Sequence, residues 1–368
     1  MRIAYVSMDP GIPVFGSKGA SIHVQAMVRA FRATGAEVTL FSPRTEGTPL
    51  DVRVVTIPVA GSGPERTDAL LAANRVLDAA LVAEGPFDLI YERHSLYANA
   101  GAEHGAAHRI PTVLEINAPL IEEQTRHRTL THPAEAAQST RRSIGAAGAV
   151  VAVSHAVADY ARSHGAARVE VIPNAIEASR PALPHVPGPF TVGFLGSLRP
   201  WHDIGVLLDA VAILQGRMQA HMLIIGDGPD RERLAPQLDA IRAEVTGMVP
   251  HAEIATHLAR LDVAVAPYSA SQPFYFSPLK LFDYMGAALP IVASRVGDMD
   301  RMLDHGRLGL LCAPDDPAAL ADVLERLAAD APLRQRLGAA ARTHVMAHHT
   351  WDRVAAQVLS LAGVTVAA

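Results

Sequence analysis

The chain has 368 residues, 49% hydrophobic and 19% charged, the balance of an ordinary globular protein with room for two cores of usual size. A formal net charge of −5 excludes the basic field of a nucleic-acid binder. One cysteine, Cys312, excludes an intrachain disulfide and a thiolate metal cluster.

The opening "MRIAYVSM" is too short an apolar run for a signal-peptide core, and reads as a buried first strand of a cytoplasmic protein. No window of 18 uninterrupted apolar residues follows, so no spanning helix is expected. Seven short apolar runs alternate with helical patterns: "IAYVS", "EVTLFS", "VRVVTIP", "DLIYE", "TVLEIN", "AVVAVS" and "VEVIPN". Such runs suit strands buried on both faces of a parallel, doubly wound sheet. A proline-rich stretch without periodicity, residues 178–189, reads as a linker. The alternation then restarts with "FTVGFLGS", "AHMLIIGDG", "EVTGMV", "VAVAPY", "LPIVAS" and "GLLCAP". The expected architecture is therefore α/β, with two Rossmann-like domains: 1–180, and 190–349. A last helix near Trp351–Leu361, within 350–368, is assigned to the first domain. Ligands of such sheets bind beyond the carboxyl ends of the strands.

The first strand-to-helix junction carries Gly16 and Gly19 around Ser17 and Lys18. Backbone N–H groups there can face an anion, or Ser21 can cap the next helix behind a flexible loop. The spacing is not G-x-G-x-x-G and gives no support to a nicotinamide cofactor. His23, one turn further, reads as a packed side chain. "YERHSLYANAG" and "VLEINAPLIEEQTRHR" place Glu92, Arg93, His94, Glu115 and Asn117 at strand ends, where loops carry function. The run Arg126, His127 and Arg128 and the pair Arg141 and Arg142 read as a solvated helix face, with an acceptor or membrane-surface contact as the alternative.

In the second half, "GFLGSLRPWHDIG" puts Arg199 and His202 after a strand, and "LIIGDGPDRERL" puts Gly226 and Asp227 after the next. Arginine offers a planar fork to a diphosphate, and a histidine can donate to the same group. In "YFSPLKLFDYMGAALPIVAS", Ser277-Pro278 opens a helix whose free N–H groups at Leu279 and Lys280 suit a phosphate oxygen. Asp283, one turn on, is placed to accept from both hydroxyls of a ribose.

Taken in order, "YVSMDPGIPVFGSKGASIHVQ", "VIPNAIE", "FLGSLRPWH", "LIIGDGPDRERL", "VPHAEIATHLARLDVAVAPY" and "SPLKLFDYMGAALPIVAS" resemble the retaining nucleotide-sugar glycosyltransferases of family four, which have the GT-B fold. The resemblance covers nearly the whole chain. That family carries two glutamates separated by seven residues, with a proline three places after the first. Anchoring on Pro278 puts Tyr275 at the first and Asp283 at the second. Of the family's basic pair, Ser197 stands at the arginine place and His202 at the lysine place, with Arg199 as the substitute. Asn117 stands where the family commonly has a histidine.

What the resemblance implies is metal-independent transfer of a sugar from a nucleoside diphosphate, most commonly of uridine, with retention of configuration and no cofactor. Arg199, His202, Glu115 and Asn117 take the catalytic places. The donor contacts fall to the loop Gly16, Ser17, Lys18 and Gly19, to Gly226, Asp227 and Val249, and to Tyr275, Ser277, Pro278, Leu279, Lys280 and Asp283. Arg93, His94, Glu123 and Arg126 face the acceptor, a small molecule, glycan or lipid-linked sugar, and peripheral membrane contact is compatible with it. Two rivals are a sugar-nucleotide epimerase using Glu115 and Glu92, and a non-catalytic nucleotide-sugar binding protein. Base, sugar, acceptor and oligomeric state stay open at this point.

Overall fold

The computed structural model describes residues 1–364, and the expectation for 365–368 as part of the last helical segment lies outside them. The chain forms two compact units. The first comprises Met1–Asn174, Tyr275–Ser277 and the chain from Trp351 on; the second comprises Ala175–Phe274 and Pro278–Thr350. The boundary thus falls ahead of the expected linker, and the proline-rich stretch clusters with the second unit. The reason is visible in its anchors: Ile176 enters that unit's core, and half-buried Arg180 is held in an ion pair there.

In the first unit seven strands make one parallel sheet: β1 (Arg2–Ser7), β2 (Glu37–Ser42), β3 (Arg53–Thr56), β4 (Leu89–Arg93), β5 (Thr112–Ile116), β6 (Ala149–Ala152) and β7 (Val169–Val171). Their order is β3-β2-β1-β4-β5-β6-β7. The second unit has six: β8 (Thr191–Leu195), β9 (His221–Ile225), β10 (Glu244–Val245), β11 (Val263–Ala266), β12 (Ile291–Ser294) and β13 (Leu310–Cys312), in the order β10-β9-β8-β11-β12-β13. Every strand expected from the apolar runs is present. Strand side chains alternate between faces, and here both faces are covered. Met222 and Ile224 of β9 join one core cluster with Val263 and Val265 of β11, while Leu223, Ile225, Ala264 and Ala266 join the other.

Each sheet reverses its winding direction once, between β1 and β4 in the first unit and between β8 and β11 in the second. At such a switch point the following loops diverge and leave room for a ligand. Register brings polar residues to the first of these edges: Ser7 pairs with Arg93, and Arg93 with Glu115. At the second, Tyr284 ties the diverging strands together. Its hydroxyl accepts from the Leu195 amide at 2.7 Å and donates to the Val265 carbonyl at 3.3 Å.

Candidate functional site

In the first unit, the helix Gly19–Ala33 begins two residues before Ser21, so the expected serine cap is corrected. Gln25 holds the preceding loop through the carbonyls of Val14 and Gly16, and the Lys18 cap makes no side-chain bond to the first turn. Gly16 is half-buried, whereas Ser17, Lys18 and Gly19 are exposed. Ser21 lies inside the helix, fully buried, with its hydroxyl unpartnered.

His23 and Glu115 form the centre of this edge. His23 Nε2 lies 2.6 Å from Glu115 Oε1, and both residues are buried. The other ring nitrogen, Nδ1, is 2.9 Å from Asn174 Oδ1. Asn174 donates its amide nitrogen to the Ser277 carbonyl at 2.5 Å, which fixes the oxygen toward the imidazole. Both ring nitrogens therefore lie close to side-chain oxygens. Trp351 closes over it edge-on, with centroids 4.8 Å apart. Burial by itself would raise the Glu115 carboxyl. The opposing pull of His23 and Arg93, with a hydrogen bond from Tyr91, outweighs burial and brings it down to about 2. Arg93 Nη1 is 3.7 Å away. Glu115 was expected to meet substrate hydroxyls; its Oε1 here faces His23 and Arg93, and His23, expected as a packed side chain, lies against that oxygen.

Glu92 is also turned inward. Its carboxylate accepts from the Ala102 amide at 2.7 Å, at the start of the helix Ala100–His108, and burial pushes it up to about 7. What this edge leaves open is a set of polar groups. Asn117 Nδ2, Arg93 Nη1 and both ring nitrogens of His94 are buried without a hydrogen-bond partner. Burial and the neighbouring His164 push His94 down to about 4, so its ring is neutral.

Tyr275 departs most from expectation. It packs with Leu114, Ile116 and Val150 of the first unit, its carbonyl accepts from Ser154, and its hydroxyl donates to Glu123 Oε2 at 3.0 Å. A residue assigned to the donor and one assigned to the acceptor are thus bonded to each other. The Ser277 hydroxyl accepts from the Asn174 amide. Arg126 is exposed on the helix Leu120–His127, as are Arg128 and Arg141, while Arg142 is clamped by Glu103 at 2.5 and 2.7 Å.

In the second unit, the loops after β8 and β9 meet beside the switch point. Gly226 takes φ +139°, and a Cβ there would stand 2.2 Å from the Gly196 carbonyl oxygen, so the loops after β8 and β9 touch backbone to backbone. Asp227 caps its own turn, accepting from Gly228 and Arg231. Val249 packs at the edge of the core. Arg199 is exposed, with its guanidinium over the Trp201 ring.

His202 Nδ1 is 2.6 Å from the Ser197 carbonyl. A carbonyl only accepts, so Nδ1 carries the proton. Burial, with Lys280 and Arg199 adding to it, pushes the ring down to about 2. Nε2 then presents a lone pair, which corrects the expectation that His202 donates to a phosphate. It holds the loop.

The helix Leu279–Gly286 starts where expected, behind Pro278 and without a side-chain cap. Asp283 was expected to be free for a ribose, but its Oδ1 is 3.0 Å from Arg180 Nη2. Burial raises its carboxyl to about 6 against the pull of that guanidinium. Arg180 also reaches His251 at 2.9 Å. Sequence reasoning missed the Arg180 contact, the Tyr284 tie and the side chain of Lys280, whose amine lies over the Phe194 ring. Only the last had a signal: Lys18 and Lys280 are the chain's two lysines.

Family models match both halves. "Glycosyltransferase Family 4" covers residues 17–180, and "Glycosyl transferases group 1" covers residues 189–330. A glycogen synthase of Mycobacterium tuberculosis is 31% identical over 202 residues, 52% of this chain and 47% of that protein. The match therefore spans about half the length of that relative. A D-inositol 3-phosphate glycosyltransferase of Paenarthrobacter aurescens is 25% identical over 93% of this chain and 91% of its own. Among solved structures, sucrose-phosphate synthase from Thermosynechococcus elongatus superposes with a TM-score of 0.78 at 20% identity, covering 98% of each chain. Anabaena HepE in complex with UDP gives 0.72 at 18% identity, covering 98% of this chain and 99% of that one. Two parallel-sheet units, the ordered motifs and both family models lead to one conclusion: the chain belongs to glycosyltransferase family four and has the GT-B fold.

Proposed function

We propose that the protein transfers a sugar from a nucleoside diphosphate to an acceptor hydroxyl, with retention of configuration and uridine as the base. The observation that carries this reading is the uncapped start of the helix Leu279–Gly286, which follows β11 of the β8/β11 switch point, in the same unit as exposed Arg199. A helix start supplies free N–H groups and the positive end of its dipole, and an arginine supplies a mobile cation. Charge builds on the diphosphate as the glycosyl bond breaks, and fixed donors of this kind stabilise it. Asp283 reads the ribose once Arg180 yields one of its oxygens. The HepE relative, solved with UDP, supports uridine.

In the first unit, Asn117, Arg93 and His94 supply the unpartnered groups that meet the transferred sugar or the acceptor. The loop Gly16–Gly19 offers exposed backbone donors. We place the reaction in the cytoplasm without a metal ion, the positive charge coming from the chain's own side chains. No helix of the described residues is long and apolar enough to cross a membrane. The exposed Arg126, Arg128 and Arg141 are available to an anionic surface or acceptor. An epimerase would need open acids, and Glu92 and Glu115 are turned inward.

A thermal-shift panel of UDP, GDP, ADP and TDP and their sugars tests the reading, because a ligand of the native state raises the melting temperature. Asp283→Asn and Asp283→Ala are run beside wild type, each against its own ligand-free melt. A shift with one nucleotide, lost in both variants, is expected. No shift with any nucleotide refutes the reading; binding without turnover across an acceptor panel leaves a binding protein instead.

A further inference from the structure

Lys280 is a buried amine that nothing among the described residues answers. The residue is 8% exposed, and its Nζ has no hydrogen-bond partner. The amine lies 3.9 Å from the centroid of the Phe194 ring and 5.7 Å from that of Tyr268. It also stands 3.0 Å from where a side chain at Gly196 would begin. Gly196 takes φ +138° and carries no Cβ, so the approach to the amine from the loop after β8 is kept clear. The other ionisable groups around it are His202 and Arg199 from that loop, Tyr268 beyond β11, and Asp283 one turn along its own helix. His202 shows a lone pair and offers no proton at neutral pH.

An unpaired buried amine is costly, so its retention calls for a reason. The composition sharpens the point: of 32 basic residues, only Lys18 and Lys280 are lysines. An arginine here would be charged with or without a ligand, whereas a lysine can shed its proton while the place is empty. Burial does push the Lys280 amine well below its ordinary value.

We propose that the Lys280 side chain is itself a phosphate ligand, its Nζ taking an oxygen of the donor diphosphate beside Gly196, in the role expected for His202. The inference rests on the nucleotide-sugar reading above. Entry of a phosphate oxygen gives the amine its missing partner and favours the ammonium form, so binding takes up a proton from solvent.

With two lysines, labelling of lysine Cε with 13C gives a spectrum readable residue by residue, and Lys280→Met assigns the signal. The wild-type protein carries the test, so the folding of the variant does not decide it. Saturating UDP, and separately inorganic pyrophosphate, are expected to move the Lys280 signal to the ammonium position, with proton uptake seen as a dependence of binding heat on buffer. Lys280→Met is expected to weaken UDP binding about ten- to a hundredfold, the worth of a charge-assisted bond. UDP that raises the melting temperature while the Lys280 signal stays still overturns the inference and leaves the nucleotide-sugar reading standing. Pyrophosphate that moves the signal when no nucleotide binds supports Lys280 and removes that reading. A signal unmoved by either, with no nucleotide binding, overturns both.

Discussion

Replacing His23 by leucine removes one side of the buried pair with Glu115 and leaves a carboxylate 2% exposed, with Arg93 3.7 Å away as its remaining cation. Breaking such a pair from one side costs about 3–5 kcal/mol, because the other charge stays buried. The structure gives a matching scale. Glu115 is held at about 2 rather than 4.5, which at neutral pH is worth about 3 kcal/mol. Its sign is fixed: a carboxyl lowered in the folded state contributes above its unfolded value, and the contribution disappears as pH falls toward 2. In His23→Leu the burial that was outweighed now dominates, and the carboxyl rises. The loss should therefore be full at pH 8 and shrink toward pH 5, where folded Glu115 takes up a proton. Urea unfolding of wild type, His23→Leu, Glu115→Gln and the double variant isolates the pair, with an expected coupling of about 2–3 kcal/mol at pH 7. A loss below about 1 kcal/mol for His23→Leu, the same at pH 5 and pH 8, would refute the reasoning.

Glu92 should behave in the opposite sense. Its carboxyl is raised from 4.5 to about 7, so wild-type stability falls as pH climbs through that window; Glu92→Gln should gain roughly 2–3 kcal/mol over wild type at pH 8 and nothing near pH 4, by urea titration. Removing the Tyr284 hydroxyl leaves the buried Leu195 amide without its acceptor, and Tyr284→Phe should cost about 1–3 kcal/mol in the same assay. If ionised Asp283 accepts from the ribose as proposed, UDP affinity measured by calorimetry should drop as pH falls through about 6, and Asp283→Asn should bind weakly across the whole range. Gly226→Ala drives a methyl to within 2.2 Å of the Gly196 carbonyl at φ +139°, and circular dichroism melting should show a destabilised second unit.

The sequence by itself determined the layers. Every strand of both sheets was legible because parallel strands covered on two faces are near-continuous apolar runs, a local signal that needs no partner to be read. The start of the helix at Leu279 was legible for a similar reason, since Ser277-Pro278 ahead of an amphipathic run is local chemistry. The side chains at the strand ends were not. Whether Glu115 meets a ligand or His23 depends on the helix that β1 leads into, and whether Asp283 is free depends on Arg180 in a segment that reads as linker. Tyr275, adjacent in sequence to the donor motif, is held in the first unit by Ser154 and Glu123. Lys280 was named for its amide, and its side chain matters only because folding buries it against Phe194 with nothing to bond. Local periodicity decides which residues are strand or helix, while desolvation and long-range packing decide which charges find each other. Only the tertiary structure holds that second kind of information.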